Sequence, residues 1–217
     1  MKNFGLLILF FLFVSLDLFC QSNRKKGIDE FKRIDSVDNI RSAKILFAGS
    51  SIFGSWDSIA VDFPGYDFAN GGFEGSKLQD LLYRFDDPVV RYKPEQIIIC
   101  VGDNDFTEAG YTSDDFIHEA ALFTEKVRHV LPKTEICWAS IKPCPSRMKY
   151  FDKYREANLR LKTFCLSNKR MKYIDTWSYM FNDDGKINRN YFSDDMLHLN
   201  REGYLLWADI IRPYLKK

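Results

Sequence analysis

Short apolar runs alternate with longer amphipathic segments along most of the chain. Five of these runs predict β-strands, at residues 44–48, 66–69, 96–101, 135–140 and 171–174. The run at 96–101 is continuous and rich in isoleucine, which is typical of a strand buried on both faces. The pattern therefore predicts a sheet with at least one central strand.

The segments between the runs carry apolar residues at helical spacing. Ser76 is placed to cap a helix with an apolar face. Thr112 and Asp115 stand at capping-box spacing before a longer helix. Further helices are predicted at about residues 154–164 and from 202 to near 213.

Strand and helix alternate from residue 44 to residue 217, and this order predicts an α/β protein. We expect a three-layer α/β/α sandwich around a five-stranded parallel sheet of flavodoxin-like type. A single domain suits the length of the chain. In such a sheet, functional loops gather at the carboxyl ends of the strands.

The first 43 residues are of a different character. Lys2 precedes an apolar run at residues 4–19 that contains Asp17. A short positive start before such a run is typical of a secretory signal peptide, which we assign to residues 1–20. The run is shorter than the ~20 apolar residues of a membrane-spanning helix. Residues 21–43 form a polar N-terminal segment.

Two alternatives to a cleaved signal stay open. The basic residues at 24–26 favour an uncleaved N-terminal anchor, and Cys20 offers a lipidated N-terminus. In each case we expect an exported protein, periplasmic or secreted. Membrane contact is expected only through the anchor or the lipid.

Charge and cysteine content exclude other classes. The 31 basic and 30 acidic residues leave a formal net charge of +1, which gives nucleic acid no basic surface to bind. The chain has no CxxC pair, so a structural zinc site is not expected. Cys100 and Cys137 lie in strand-like runs, where cysteine serves as a small buried apolar residue. Disulfide pairing among these, Cys144 and Cys165 stays open.

Four polar clusters fall where strands end or the last helix begins. Each alone is typical of a turn. The clusters are Gly-Ser-Ser-Ile at 49–52, Asn-Gly-Gly-Phe-Glu-Gly at 70–75, Gly-Asp-Asn-Asp at 102–105 and Asp-Met-Leu-His-Leu-Asn at 195–200.

Together the clusters supply the parts of a serine hydrolase. A serine attacks an ester only when a base removes its proton, and a histidine is the suitable acceptor near neutral pH. Asp195 lies three residues before His198, close enough for one turn to present both side chains. A carboxylate there would orient the imidazole for Ser51. Backbone N–H groups and the Asn104 amide are candidate donors to the substrate oxyanion.

The four clusters resemble the blocks of the SGNH (GDSL-type) hydrolases, including the platelet-activating-factor acetylhydrolase-like group. The resemblance runs from about residue 44 to residue 215 and implies the SGNH hydrolase fold. It implies Ser51 as nucleophile, with Asp195 and His198 as the Asp-x-x-His pair. The implied oxyanion donors are Asn104, the Gly75 N–H and the backbone N–H of Ser51.

Two details depart from this family pattern. Ser50 stands where the family usually has aspartate, although that aspartate is not the nucleophile. Gly72 lies close enough to Gly75 to take its role after a small shift in alignment. An α/β-hydrolase is disfavoured because Gly49-Ser50-Ser51 is not followed by the second glycine of Gly-x-Ser-x-Gly.

The resemblance implies a serine esterase that cleaves small O-acyl esters such as acetyl, on carbohydrate, without metal or organic cofactor. A short-chain lipid esterase or thioesterase is an alternative. So is a catalytically silent glycan-binding relative, to which Ser50 lends support. A flavodoxin-like domain that holds phosphate at the Gly-Ser-Ser turn is a further alternative.

Other residues are assigned smaller roles. Trp56 lies about one helical turn past the nucleophile, where it is a candidate wall of the acyl pocket. His118 and His129 share a predicted helix away from the site loops. The Pro-containing loop at 141–147 is interpreted as a rigid surface loop, and its alternative is that Lys142 or Arg147 meets an anionic or sugar substrate.

Overall fold

The structure, a computed structural model, describes residues 42–217. The signal peptide or anchor predicted at residues 1–20, with Cys20, lies outside the described residues. So does nearly all of the polar segment at 21–43. Among residues 42–217, no helix combines the length and the apolar composition needed to cross a bilayer.

The described chain folds around one parallel sheet of five strands in the order β2-β1-β3-β4-β5. This is the flavodoxin-like order. All five predicted strands are confirmed, and the second extends further than predicted because its Asn70-Gly71-Gly72 end continues to pair with β1. The strands are β1 (Ile45–Gly49), β2 (Phe68–Gly72), β3 (Gln96–Cys100), β4 (Glu135–Ala139) and β5 (Met171–Ile174).

Helices connect the strands and cover the sheet, as the alternating pattern predicts. The α-helices are α1 (Ser51–Gly54), α2 (Ile59–Asp62), α3 (Leu78–Tyr83), α4 (Ser113–Val130), α5 (Phe151–Leu166) and α6 (Arg201–Ile211). A π-helix spans Asp86–Val90. Short 3₁₀ helices span Asp105–Thr107, Pro145–Tyr150, Ser178–Met180, Arg189–Tyr191 and Arg212–Tyr214.

The two predicted helix starts have different outcomes. The Thr112–Asp115 capping box is confirmed, because each residue's backbone N–H donates to the other's side chain, over 2.9 and 3.2 Å. The prediction that Ser76 caps α3 is wrong. The cap is Lys77, whose backbone N–H donates to the Asp80 carboxylate. Ser76 instead donates its hydroxyl to the carbonyl of Gly49, which ties the α3 entry to the end of β1.

Apolar side chains fill both faces of the sheet. On one face Phe47 packs against Phe53 of α1 and Phe63 after α2, and α6 contributes Trp207 to the same cluster. On the other face Trp138 of β4 meets aromatic rings of α4. The strands β1 and β3 are buried along their whole length. The sheet is therefore a firm base for the loops at its carboxyl edge.

Trp56 belongs to this core and not to a substrate pocket. Its side chain is 1% exposed and stacks on Tyr204 with ring centroids 4.8 Å apart. Its indole N–H donates to Asp62 over 2.7 Å. The expectation that Trp56 walls an acyl pocket is therefore wrong, because the bond to Asp62 and the stacking on Tyr204 hold this side chain in the core.

Asp62 joins α2 to the start of α6. Its carboxylate accepts from Trp56, from Ser58 over 2.7 Å and from two nitrogens of Arg201 at 2.5 Å each. The bond from Arg201 is the main cause that holds the pKa of Asp62 well below its usual range. The stability that this carboxylate contributes is thus present at neutral pH and is lost only in strong acid, as the pH falls through the lowered pKa.

Replacing Asp62 with alanine is expected to lower the free energy of unfolding by about 2–4 kcal/mol, because a buried indole N–H and a guanidinium lose their acceptor. Urea unfolding monitored by tryptophan fluorescence measures this change. Asp209→Ala is the matched control, since Asp209 is 81% exposed and lies 3.8 Å from Arg212. If Asp209→Ala lowered the free energy of unfolding as much as Asp62→Ala does, the role assigned to Asp62 would be contradicted.

The cysteines at 100, 137, 144 and 165 are buried and form no disulfide with one another. The prediction that Cys100 and Cys137 act as small buried apolar residues is confirmed, with exposures of 4% and 0%. Burial raises the pKa of the Cys137 and Cys165 thiols to about 12. These thiols are therefore packing groups and stay protonated near neutral pH.

Candidate active site

Two of the four polar clusters, those at 49–52 and 195–200, meet at the carboxyl edge of the sheet. Ser51 begins α1 directly after β1 and is 8% exposed. The Nε2 atom of His198 lies 3.0 Å from the Ser51 Oγ. The Nδ1 atom of His198 lies 2.5 Å from the Asp195 Oδ2. Residues 147 positions apart in sequence are thus within hydrogen-bond reach.

This order of contacts fixes the imidazole in a useful tautomer. A carboxylate facing Nδ1 favours a proton on that nitrogen, which leaves Nε2 as the acceptor for the serine hydroxyl. The geometry is that of a hydroxyl, a base and an orienting carboxylate in line. The arrangement can abstract the Ser51 proton and return it to a leaving group.

The turn that carries Asp195 is built to hold it ionised. Its Oδ1 accepts the backbone N–H groups of Leu197 and His198, each over 2.9 Å. Met196 adopts a positive φ of 55°, which turns the chain back so that both donors face the carboxylate. Burial by itself would raise the pKa of Asp195. The hydrogen bonds from these two N–H groups and from the imidazole outweigh it and lower this pKa to about 2. The carboxylate is therefore charged over the whole range in which the protein is expected to work.

The Asn104 amide is anchored beside the end of β1. Its Nδ2 donates to the carbonyl of Ser76 over 3.1 Å, and the Ser76 hydroxyl donates to the carbonyl of Gly49 over 2.9 Å. An amide nitrogen carries two hydrogens, so one remains for a further acceptor. Ser76 thus links Asn104 to β1, the strand that precedes Ser51.

Gly72 and Gly75 have different environments. The Gly72 N–H already donates to the Asn70 side chain over 3.1 Å. A Cβ on Gly72 would lie 2.6 Å from the backbone nitrogen of Gly54, so this glycine allows β2 and α1 to approach closely. Gly75 lies in an exposed turn at a φ of +71° with open space around it. Because its N–H is not committed to the Asn70 side chain, Gly75 is a better candidate than Gly72 for a backbone donor to a substrate oxyanion.

The comparison with protein families agrees with this arrangement. The model of the GDSL-like lipase/acylhydrolase family matches residues 48–206 of the chain. The chain belongs to the GDSL-like lipase/acylhydrolase family. As a member of this family it is a carboxylic ester hydrolase, and the resemblance stated from the sequence is confirmed. A search of curated proteins found no match.

Solved structures share the fold of this acylhydrolase at low sequence identity. One from Streptococcus pneumoniae, provisionally named a platelet activating factor, has a TM-score of 0.81 at 19% identity and covers 95% of this chain and 99% of its own. A GDSL-like lipase from Bacteroides thetaiotaomicron has a TM-score of 0.71 at 22% identity, covering 85% and 96%. A variant of an acetyl-xylooligosaccharide esterase from Geobacillus has a TM-score of 0.66 at 15% identity, covering 82% and 97%.

Sequence reasoning missed a buried charge cluster beside the site of this acylhydrolase. The interpretation of the loop at 141–147 as a surface loop is wrong for Lys142, which is 3% exposed and whose Nζ donates to the Asp103 Oδ2 over 3.1 Å. Burial by itself would lower the pKa of Lys142, but the neighbouring Asp103 carboxylate outweighs it and raises this pKa. The available signal was an acidic residue inside Gly-Asp-Asn-Asp together with basic residues after the fourth strand.

A second buried carboxyl, Asp105, follows Asn104 directly. Its Oδ1 accepts the backbone N–H of Leu78 over 2.8 Å, while its Oδ2 is buried without a hydrogen-bond partner. Burial is the main cause that raises the pKa of Asp105 to about 7. Asp105 therefore fastens the Asn104 loop to α3 and is too enclosed to act on a substrate. The histidines at 118 and 129 are exposed on α4, in agreement with their assignment.

Replacing Asn104 with alanine is expected to lower kcat for p-nitrophenyl acetate by about 10²–10³-fold, with a small change in KM, because an oxyanion donor acts mainly in the transition state. Steady-state kinetics measures both constants. Asn168→Ala is the matched control, since the Asn168 amide donates to the Phe164 carbonyl at the exposed end of α5. If KM instead rose by about 10²–10³-fold while kcat stayed unchanged, Asn104 would be assigned to ground-state binding of the substrate.

Proposed function

We propose that this protein hydrolyses small O-acyl esters, acetyl above all, carried on carbohydrate, through a covalent acyl-enzyme on Ser51. The observation that carries the proposal is the pair of contacts made by His198, 3.0 Å to the Ser51 Oγ and 2.5 Å to the Asp195 Oδ2. Family membership supports the ester bond as the target.

In the first half-reaction, the Ser51 oxygen attacks the ester carbonyl while Nε2 of His198 takes the hydroxyl proton. Asp195 offsets the positive charge that forms on the imidazole. His198 then returns the proton to the leaving alcohol as the carbon–oxygen bond breaks. The product is an acyl group on Ser51 and a free alcohol.

In the second half-reaction, water replaces the alcohol. His198 takes a proton from the water as its oxygen attacks the acyl carbonyl, and returns it to the Ser51 oxygen when acid leaves. In both halves the negative carbonyl oxygen would be held by the Asn104 amide with the backbone N–H groups of Ser51 and Gly75. None of these steps calls for a redox or group-carrying cofactor.

The exposure of the site supports a small acyl group on a large carrier. The side chains of Asp195 and His198 are 48% and 35% exposed, whereas Ser51 is almost covered. A bulky alcohol partner can therefore lie across the open side of the imidazole, while the covered serine favours a short acyl chain. The structural likeness to an acetyl-xylooligosaccharide esterase lends the carbohydrate assignment further support.

A substrate panel tests the proposal. Acetylated xylooligosaccharides, p-nitrophenyl acetate, p-nitrophenyl octanoate and acetyl-coenzyme A are compared by kcat/KM on the purified protein. We expect acetyl esters to be cleaved, with the acetylated oligosaccharides preferred. A preference for octanoate or the thioester would select a lipid esterase or thioesterase, and no turnover of any ester would leave a glycan- or phosphate-binding role.

We also propose that the protein is exported, with residues 1–20 acting as a signal peptide or an N-terminal anchor. The support is the Lys2 start and the apolar run at 4–19. Cell fractionation followed by N-terminal sequencing distinguishes a cleaved signal, a retained anchor and a lipidated Cys20. Recovery of the intact chain in the cytoplasm would contradict export.

A further inference from the structure

The loop segment at residues 142–147, after β4, holds the residue that precedes Asn104. The Nη1 atom of Arg147 donates to the backbone carbonyl of Asp103 over 2.6 Å and lies 3.5 Å from its carboxylate. Lys142 donates to the same carboxylate over 3.1 Å. The Tyr154 hydroxyl donates to the Asp103 carbonyl over 2.9 Å. Asp103 is thus held through both its side chain and its backbone.

The same segment also holds the turn that carries the general base. The backbone N–H of Ser146 donates to the carbonyl of Met196 over 3.1 Å, and the Ser146 hydroxyl donates to it over 3.0 Å. Met196 lies between Asp195 and His198 and has the positive φ that shapes this turn. Adjacent residues, Ser146 and Arg147, therefore connect the oxyanion side of the site to its proton-transfer side.

Charge and burial indicate that these contacts fix geometry. The side chains of Lys142 and Asp103 are 4% and 10% exposed, and that of Arg147 is 19% exposed. Buried ion pairs add little net stability, because their desolvation offsets their attraction. They do hold one arrangement in place, since separating the charges in a dry environment is costly.

We propose that Ser146 and Arg147 are positioning residues for ester hydrolysis, which set the distance between the Asn104 donor and the His198 base. Arg147 acts through Asp103, and Ser146 acts through Met196. The inference rests on the proposed function of Ser51, His198 and Asn104. A misplacement of about 1 Å in such a site can lower the rate by about 10²-fold.

Substitutions of Arg147 test the oxyanion side. Arg147→Met is expected to lower kcat for p-nitrophenyl acetate by about 10–100-fold with KM changed less than about twofold. Arg147→Lys should regain part of the loss, because a cation remains near the Asp103 carboxylate. Arg155→Met is the matched control and should leave kcat unchanged, since Arg155 pairs with Asp152 on the exposed face of α5.

A double-mutant cycle separates positioning from a general loss of stability. If Arg147 acts through Asn104, adding Arg147→Met to Asn104→Ala should lower kcat by less than about twofold further. Independent losses that multiply would overturn the proposal. So would an unchanged kcat in Arg147→Met, or a kcat that falls only in proportion to the folded fraction.

Ser146→Ala tests the proton-transfer side, because it removes the hydroxyl and keeps the N–H bond to Met196. We expect kcat to fall about three- to tenfold, consistent with the loss of one neutral hydrogen bond. Ser178→Ala is the control, since Ser178 is exposed and its hydroxyl donates to the Asp175 carboxylate over 2.8 Å, away from the 142–147 segment. Equal kcat values in Ser146→Ala and the wild type would contradict the role of Ser146.

Hydrogen exchange gives a readout that does not depend on turnover. Amide exchange in peptides covering 102–107 should accelerate in Arg147→Met, and exchange in peptides covering 194–200 should accelerate in Ser146→Ala. If the wild type cleaves no ester, the proposed function fails, while these exchange rates still decide whether the 142–147 segment holds both loops. Unchanged exchange in both variants would overturn the positioning role.

Discussion

Replacing Ser51 with alanine is expected to lower kcat/KM for p-nitrophenyl acetate by about 10⁴–10⁶-fold, as in serine hydrolases that lose their nucleophile. The loss is this large because the Ser51 hydroxyl is the group that lies 3.0 Å from Nε2 of His198, and alanine leaves the imidazole with no proton to remove there. Labelling by a fluorophosphonate, located on peptides by mass spectrometry, should disappear in the same variant. The alanine removes one oxygen and is expected to leave the fold intact.

Ser55→Ala is the matched control for this prediction. Ser55 lies at the end of the same short helix, where its backbone N–H donates to the Ser51 carbonyl over 2.8 Å. Its substitution should leave both turnover and labelling unchanged. Persistent labelling of Ser51→Ala at another serine, with turnover retained, would place the nucleophile elsewhere.

Replacing His198 with alanine is expected to cost nearly as much as the loss of Ser51, about 10⁴–10⁶-fold in kcat. The hydroxyl would lose its proton acceptor at 3.0 Å. The combined Ser51→Ala/His198→Ala variant should be no slower than either single variant, because the two residues act as one unit. Asp195→Asn should lower kcat by about 10⁴-fold, since it favours the wrong imidazole tautomer.

His129→Ala is the control for the histidine substitution, because His129 is exposed near the end of α4. Steady-state kinetics and thermal unfolding of Ser51→Ala, His198→Ala, the combined variant, Asp195→Asn and the control distinguish an effect on catalysis from an effect on stability. Multiplying losses in the combined variant would mean that Ser51 and His198 act in separate steps. That result would contradict the mechanism proposed here.

The sheet and the central contacts could be predicted because they depend on short stretches of sequence. Five apolar runs mark the five strands, and alternation with helices fixes their parallel direction. The Asp195-to-His198 spacing keeps the carboxylate and the imidazole on one turn. Parallel strands deliver their loops to one edge of the sheet, which places Ser51 near that turn.

Other features depend on contacts that no local pattern encodes. The inward turn of Trp56 depends on Asp62 and Tyr204, which lie on different helices. The burial of Lys142 depends on an acidic residue at the end of the neighbouring strand. The N-cap of α3 is Lys77, because the Ser76 hydroxyl donates to the Gly49 carbonyl at the end of β1 and does not cap the helix. Each of these outcomes requires the position of side chains distant in sequence.

The four enclosed thiols bear on where this domain can mature. Because Cys100, Cys137, Cys144 and Cys165 are buried and unbridged, no covalent crosslink among them has to form before the sheet assembles. The fold of residues 42–217 therefore requires no disulfide among these four cysteines, in a reducing or in an oxidising compartment. The melting temperature should be indifferent to dithiothreitol. An oxidase or isomerase would have no substrate among these residues once the native state is reached.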